Sequence, residues 1–148
     1  MKITACTQPC ANHAWSVYAA DVDGDGDVDV LSATLSDRKI AWYENTDGKG
    51  SFDERGVISA AADGASSVYA ADLDGDGDQD VVSAQNAHGF GLTWFEQRRL
   101  QGGSAGAALF VPHEIWPAAD SEDRLSISQL HSLAVADVDR DGRLDLVT

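Results

Sequence analysis

The chain has 148 residues, 43% of them hydrophobic and 24% charged, which supplies enough apolar content for a packed core and excludes a disordered tail. Ten Lys and Arg stand against 25 Asp and Glu, a formal net charge of -15, so a nucleic-acid polyanion is repelled and is not expected as a partner. No apolar run approaches the roughly 20 residues that cross a bilayer, and Met1 to Ala5 has neither the apolar centre nor the cleavage site of a signal peptide, so the chain reads as soluble.

From the N-terminus, Cys6 and Cys10 are followed by His13. A local disulfide and two free thiols both fit this spacing. A zinc site needs four ligands, and the chain has no second Cys pair to complete one. Residues 1–15 read as a leading segment, with Ile3 to Ala5 short and apolar enough for the outer strand of a preceding unit.

Beyond Ala14 the chain repeats itself. Ser16 to Ala33 reads SVYAADVDGDGDVDVLSA, and 51 residues later Ser67 to Ala84 reads SVYAADLDGDGDQDVVSA. A third, diverged copy starts at Ser132, 65 residues after the second, as SLAVADVDRDGRLDLVT. The likeness continues between the copies: Ile40 to Asn45 (IAWYEN) matches Leu92 to Gln97 (LTWFEQ), Phe52 to Ile58 matches Phe110 to Ile115, and AAD recurs at Ala61 and Ala118. Extra residues around Gly102 to Ala108 and Ser121 to Gln129 lengthen the second copy. The units are therefore 16–66, 67–131 with an insertion, and the start of a third at 132–148.

Within a unit the apolar runs are short, Val-rich or aromatic, and separated by Gly and polar turns, which is strand chemistry. In the second unit they fall at Val68 to Ala71, Val81 to Ala84, Leu92 to Glu96 and Phe110 to Ile115. No sustained 3.6-residue apolar period appears, although Ser121 to Leu130 has room for one helical turn. Four short antiparallel strands per unit of this length predict an all-β chain of propeller blades, with a stacked sheet array as the other architecture the period allows. Two complete units and part of a third make a fragment of a longer array, or a ring completed by other copies of the chain. A sheet edge left at Asp145 to Thr148 would expose unpaired backbone groups.

Between the first two predicted strands of each unit lies an Asp-rich loop of pattern D-x-D-x-D-G-x-x-D. Its carboxylates are Asp21, Asp23, Asp25 and Asp29 in the first unit, Asp72, Asp74, Asp76 and Asp80 in the second, and Asp137, Asp139, Asp141 and Asp145 in the third. Alternating short carboxylates on a curled loop converge on one point, where a hard cation takes six to eight oxygens at about 2.3 to 2.6 Å. Glycine at the sixth position (Gly26, Gly77, Gly142) permits the turn that brings in the seventh-position carbonyl, from Asp27, Asp78 or Arg143. Left without an ion, four such carboxylates repel one another. A helix-flanked calcium hand is excluded, because its twelfth-position Glu is replaced by Ser32, Ser83 or Thr148 and the flanks are strand-like. Mg²⁺ wants fewer protein ligands, and no His or Cys interleaves to favour a transition metal. Calcium is the expected ion at up to three sites. The third is expected to be weakest, since Arg140 and Arg143 replace Gly75 and Asp78.

At AADVDGDGDVDVLSA, AADLDGDGDQDVVSA and VADVDRDGRLDLVT the sequence resembles the FG-GAP/VCBS repeats, the blade units of integrin-α-like β-propellers. The resemblance covers nearly the whole chain, without the namesake Phe-Gly and Gly-Ala-Pro sequences. It implies Ca²⁺ held by positions 1, 3, 5 and 9 and by the carbonyl at 7, which are the residues named above. It further implies an extracellular or cell-surface module for adhesion, ligand recognition or scaffolding, with a protein or glycan ligand. A lectin-type propeller and the non-catalytic part of a larger propeller enzyme are the alternatives.

The remaining chemistry is sparse. Trp42, Tyr43, Trp94 and Phe95 recur with the repeat and read as core between units, whereas Trp15 and Trp116 do not recur and are the candidates for a sugar platform. His13, His88, His113 and His131 neither recur nor join a nucleophile motif, and the carboxylates belong to the loops, so no catalytic constellation is expected. The three loops hold fourteen acidic residues and two Arg, a net of -12. Only -3 is left for the rest of the chain.

Overall fold

The fold is taken from a computed structural model that describes residues 13–86, 91–99, 108–116 and 132–148. The expectations for Ile3 to Ala5, Cys6, Cys10, His88, Ser121 to Leu130 and His131, and for the side chain of Trp116, lie outside the described residues.

The described chain is all β. The first sheet is β1 (Ala14–Ala20), β2 (Asp29–Thr34), β3 (Lys39–Asn45) and β4 (Phe52–Ser59), antiparallel and in sequence order. The second repeats it with β5 (Ala65–Ala71), β6 (Asp80–Gln85), β7 (Gly91–Arg99) and β8 (Ala108–Trp116). The third unit begins as β9 (Ala134–Ala136) paired with β10 (Asp145–Val147). Each of the four strands predicted in the second unit is present and longer than its apolar run, because polar residues at the ends still pair along the ladder: Gln97 and Arg98 on β7 pair with Phe110 and Leu109 on β8. Even the irregularity repeats, with a register shift at Ala14/Ser16 in β1 and at Ala65/Ser67 in β5.

Packing follows from the two-residue period of the strands. On one face of the first sheet Leu31, Ala33, Ile40 and Trp42 are buried, and they meet Val68, Ala70, Val81 and Phe95 from the second. The opposite face of the second sheet, through Val82, Ala84 and Leu92, meets Leu133 and Val135 of the third unit. Each unit thus lays one face on the next, and burying a Leu, Ile or Phe this way contributes about 1.5–3 kcal/mol. The first strands of successive units stand side by side, β5 against β1 and β9 against β5. Val68 N donates to Ser16 Oγ at 3.4 Å, and the rings of Tyr18 and Tyr69 lie 4.2 Å apart between centroids. Burial, then the hydrogen bond with Tyr69, pushes the Tyr18 phenol up to about 12. This is a partial propeller, two four-stranded blades and the start of a third; among the described residues the sheets do not close into a ring.

Candidate metal centre

Each Asp loop spans the gap between a matched pair at the strand ends, Ala20 with Asp29, Ala71 with Asp80 and Ala136 with Asp145. The first carboxylate organises the turn. Asp21 Oδ1 accepts from Gly24 N at 2.8 Å and Oδ2 from Gly26 N at 3.0 Å; Asp72 does the same with Gly75 N at 2.7 Å and Gly77 N at 3.1 Å. Next, Asp25 Oδ1 accepts from Asp27 N and Asp76 Oδ1 from Asp78 N, both at 2.8 Å. In the third loop Asp137 Oδ2 accepts from Gly142 N at 3.0 Å, and Asp141 Oδ1 from Arg143 N at 2.8 Å.

These turns draw carboxylates together. In the first two loops the group is Asp21, Asp23 and Asp25, and Asp72, Asp74 and Asp76; in the third it is Asp137, Asp139 and Asp145. Within each group one oxygen per residue lies within 4.8 Å of the others. Oxygens sharing one Ca²⁺ at about 2.3–2.6 Å are separated by no more than about 5 Å, so the donor set fits a hard divalent ion. The Asp23 carboxyl is raised, by burial first and then by repulsion from Asp25, Asp29 and Asp21. Residues 27, 78 and 143 stand at the seventh position, where their backbone follows the sixth-position glycine.

The ninth-position Asp lies outside the convergent group in the first two loops and has a task of its own that spacing does not reveal. Asp29 is 1% exposed and accepts three hydrogen bonds, Oδ2 from Val22 N at 3.2 Å and Trp42 Nε1 at 3.0 Å, and Oδ1 from Asn45 N at 2.8 Å. It ties the loop to the core through β3. Asp80 repeats this with Leu73 N at 3.1 Å and Gln97 N at 2.8 Å, and burial raises its carboxyl. Trp94, the counterpart of Trp42, is close enough to lower the Asp80 carboxyl, but its Nε1 falls outside hydrogen-bond geometry. Asp145 Oδ2 accepts from Val138 N at 2.9 Å.

The structure adds residues that the motif did not single out. The fourth position is left-handed in all three loops, with φ of 74° at Gly24, 82° at Gly75 and 65° at Arg140. Arg140 therefore carries backbone strain that glycine avoids. Glu44 on β3 is buried beside Arg55; burial first raises its carboxyl, Arg55 opposes this, and Asp23, Asp29 and Asp25 add to the rise. Its counterpart Glu96 is instead held down to about 2, by hydrogen bonds from Arg98 and then His113. Both sit at the same place in IAWYEN and LTWFEQ, which is the signal that would have found them. Arg99 joins the first two loops: its Nε lies 2.7 Å from Asp78 Oδ1, and its guanidinium rests against Gly24. A crevice of about 320 Å³ lies there, bordered by Asp21 and Gly24 on one side and by Gly77 and Arg99 on the other.

Residues 21–83, from the first Asp of one loop to just past the next, match the family model described as an FG-GAP-like repeat. The chain carries an FG-GAP-like repeat. Two Asp loops and strands β2 to β5 between them lie inside the matched span; the third unit lies outside it, and its carboxylate group draws on positions 1, 3 and 9 where the first two draw on 1, 3 and 5. No curated protein and no solved structure matches the chain. The FG-GAP-like repeat thus rests on its own geometry for any statement about its ion.

Proposed function

We propose that this FG-GAP-like module binds Ca²⁺ in each of its three loops and uses the ions to fix the ends of its blades, in an extracellular or cell-surface protein that recognises a protein or glycan. The observation that supports it is a convergent group of three carboxylates in each of the three Asp loops, from positions 1, 3 and 5 in the first two and 1, 3 and 9 in the third. Asp21, Asp23, Asp25 and Asp29, their counterparts Asp72 to Asp80 and Asp137 to Asp145, and the carbonyls of Asp27, Asp78 and Arg143 are the ligands of this reading. Ca²⁺ supplies two positive charges per loop, which removes the repulsion that raises Asp23 and makes the tight turn the favoured one. Extracellular modules bind calcium with dissociation constants of about 10⁻⁴–10⁻³ M, which suits an ion supply outside the cell. The role is binding, not catalysis. Calorimetric titration of the chain with CaCl₂ and MgCl₂, alongside melting in calcium and in chelator, tests it. Calcium-selective heat and a melting temperature that rises with calcium are expected; indifference to calcium in both would overturn the reading.

A lectin-type role is the second reading, favoured by Trp15, which is 58% exposed on β1 and offers an indole face to a sugar ring. A saturable tryptophan fluorescence change with a monosaccharide panel, lost in Trp15→Ala, separates it from a protein-binding scaffold.

A further inference from the structure

Arg99, at the end of β7, touches two Asp loops at once. Its Nε lies 2.7 Å from Asp78 Oδ1 in the second loop, and its guanidinium lies over Gly24 in the first, where a Cβ would fall 2.8 Å from Nη2. The crevice of about 320 Å³ between the loops is bordered by Asp21, Val22 and Gly24 on one side and by Gly77 and Gln79 on the other, and this side chain spans it. Gly24 therefore has two reasons to be glycine, its left-handed φ of 74° and the guanidinium that rests on it. Its counterpart Gly75 has only the first: among the described residues no atom comes within 4 Å of a Cβ there.

The bridge does not follow from the repeat. With IAWYEN matched to LTWFEQ, the first-unit counterpart of Arg99 is Asp47. That carboxylate folds back into the β3–β4 turn, where it accepts from Lys49 N, Ser51 N and Ser51 Oγ. The seventh-position side chains diverge in the same way, since Asp27 lies against Gly48 of that turn and Asp78 meets Arg99. Arg98 carries the same charge one residue away, but the two-residue period of the strand turns it to the other face. There it donates to Glu96 of its own blade at 2.7 and 2.8 Å.

We propose that Arg99 couples the first two loops, so that a calcium ion in either one strengthens binding in the other. This rests on the calcium reading above. Both residues that Arg99 touches adjoin ligands of that reading: Gly24 follows Asp23 and donates its N to Asp21, and Asp78 carries the seventh-position carbonyl and donates its N to Asp76. An ion that holds one turn closed keeps its end of the bridge in place, so ordering the Arg99 side chain costs the other loop less. Plain charge acts with the opposite sign. Two dications and an arginine repel one another, so charge alone would set the two sites against each other and make removal of Arg99 tighten both. The bridge makes them cooperate, and by linkage the effect is equal from either site.

Calcium titration of the isotope-labelled chain, followed by NMR at the backbone amides of Gly26 and Gly77, reads the two loops separately. Asp72→Ala, which removes the second site, is expected to weaken the first about threefold, the scale of a well-formed exposed ion pair, and Asp21→Ala to weaken the second by the same factor. Arg99 is largely exposed, so Arg99→Ala is expected to keep the fold. In that background, and in Arg99→Lys, whose ammonium keeps the charge but cannot hold both loops, the two sites are expected to be independent or opposed. Arg98→Ala removes a neighbouring charge and is expected to leave the coupling in place. A parent chain whose loops take up no calcium overturns this proposal and the calcium reading together. A parent that fills both loops while the first is indifferent to Asp72→Ala overturns the coupling alone, as does a coupling that survives in Arg99→Ala.

Discussion

Asp29→Ala separates the two tasks of the loop carboxylates. The side chain is 1% exposed, and removing it strands three donors, Val22 N, Trp42 Nε1 and Asn45 N. A buried donor left without a partner costs about 1–3 kcal/mol, and water entering the cavity recovers part of that, so the expected loss is about 3–5 kcal/mol even in chelator. Asp21→Ala is the contrast. Its two hydrogen bonds, to Gly24 N and Gly26 N, are exposed, and removing one of several crowded carboxylates relieves repulsion, so in chelator it is expected to cost less than about 1 kcal/mol. Calcium adds a separate term: at ten times its dissociation constant a filled site adds about 1.4 kcal/mol, and both variants lose this for the first loop. Urea unfolding followed by tryptophan fluorescence, in calcium and in chelator, reads all four quantities. Equal stability of the two variants in chelator would refute the assignment of Asp29 as the anchor of the loop.

Three further outcomes follow from the same geometry. Arg140→Gly relieves the left-handed residue of the third loop and is expected to stabilise the chain by up to about 1 kcal/mol and tighten its weakest calcium site in a titration; no change in either would show that the loop is not strained there. Gly48→Ala is expected to lower the melting temperature, because φ is +60° and a Cβ there would fall 2.5 Å from Asp27 Oδ1; a neutral result contradicts the packing of the β3–β4 turn on the first loop. Glu96 is held at about 2 in the fold, below an unfolded Glu, so its stabilising contribution is complete above about pH 4.5 and is lost as pH falls through 2. Glu96→Gln should therefore narrow its stability difference from the parent chain as the solution is acidified, and a difference that does not change with pH would contradict it. Asp23, Glu44 and Asp80 act with the opposite sign: raised in the fold, they bind protons more readily in the native state, so without metal they favour it as pH falls towards their range.

The parts of this structure that the sequence made legible are those set by local chemistry. Strand runs such as Val81 to Ala84 and the D-x-D-x-D-G register follow from side-chain type and spacing, and repetition removed the ambiguity that single short runs carry. The remainder depends on contacts across the sheet. Nothing in the spacing distinguishes Asp29, buried under Trp42, from Asp21 at the surface. The left-handed fourth position is not legible from the motif, because glycine occupies it in two loops and Arg140, a residue that rarely adopts positive φ, occupies it in the third. Glu44 and Glu96 share a place in the repeat yet shift in opposite directions, since burial and the neighbouring Asp23, Asp29 and Asp25 raise one while hydrogen bonds from Arg98 and His113 hold the other down. Val17 and Val68 are likewise the same residue at the same place in the repeat, yet one is exposed and the other buried, because among the described residues only the second blade has another laid on that face.

The central claim is that the three Asp groups are calcium sites, and equilibrium dialysis of the chelator-stripped chain against calcium, with bound metal counted, tests it most directly. Three calcium ions per chain are expected at saturation, the third filling last, with Asp21→Ala removing one and Asp72→Ala removing another. A chain that retains no calcium, or a count unchanged in both variants, would contradict it.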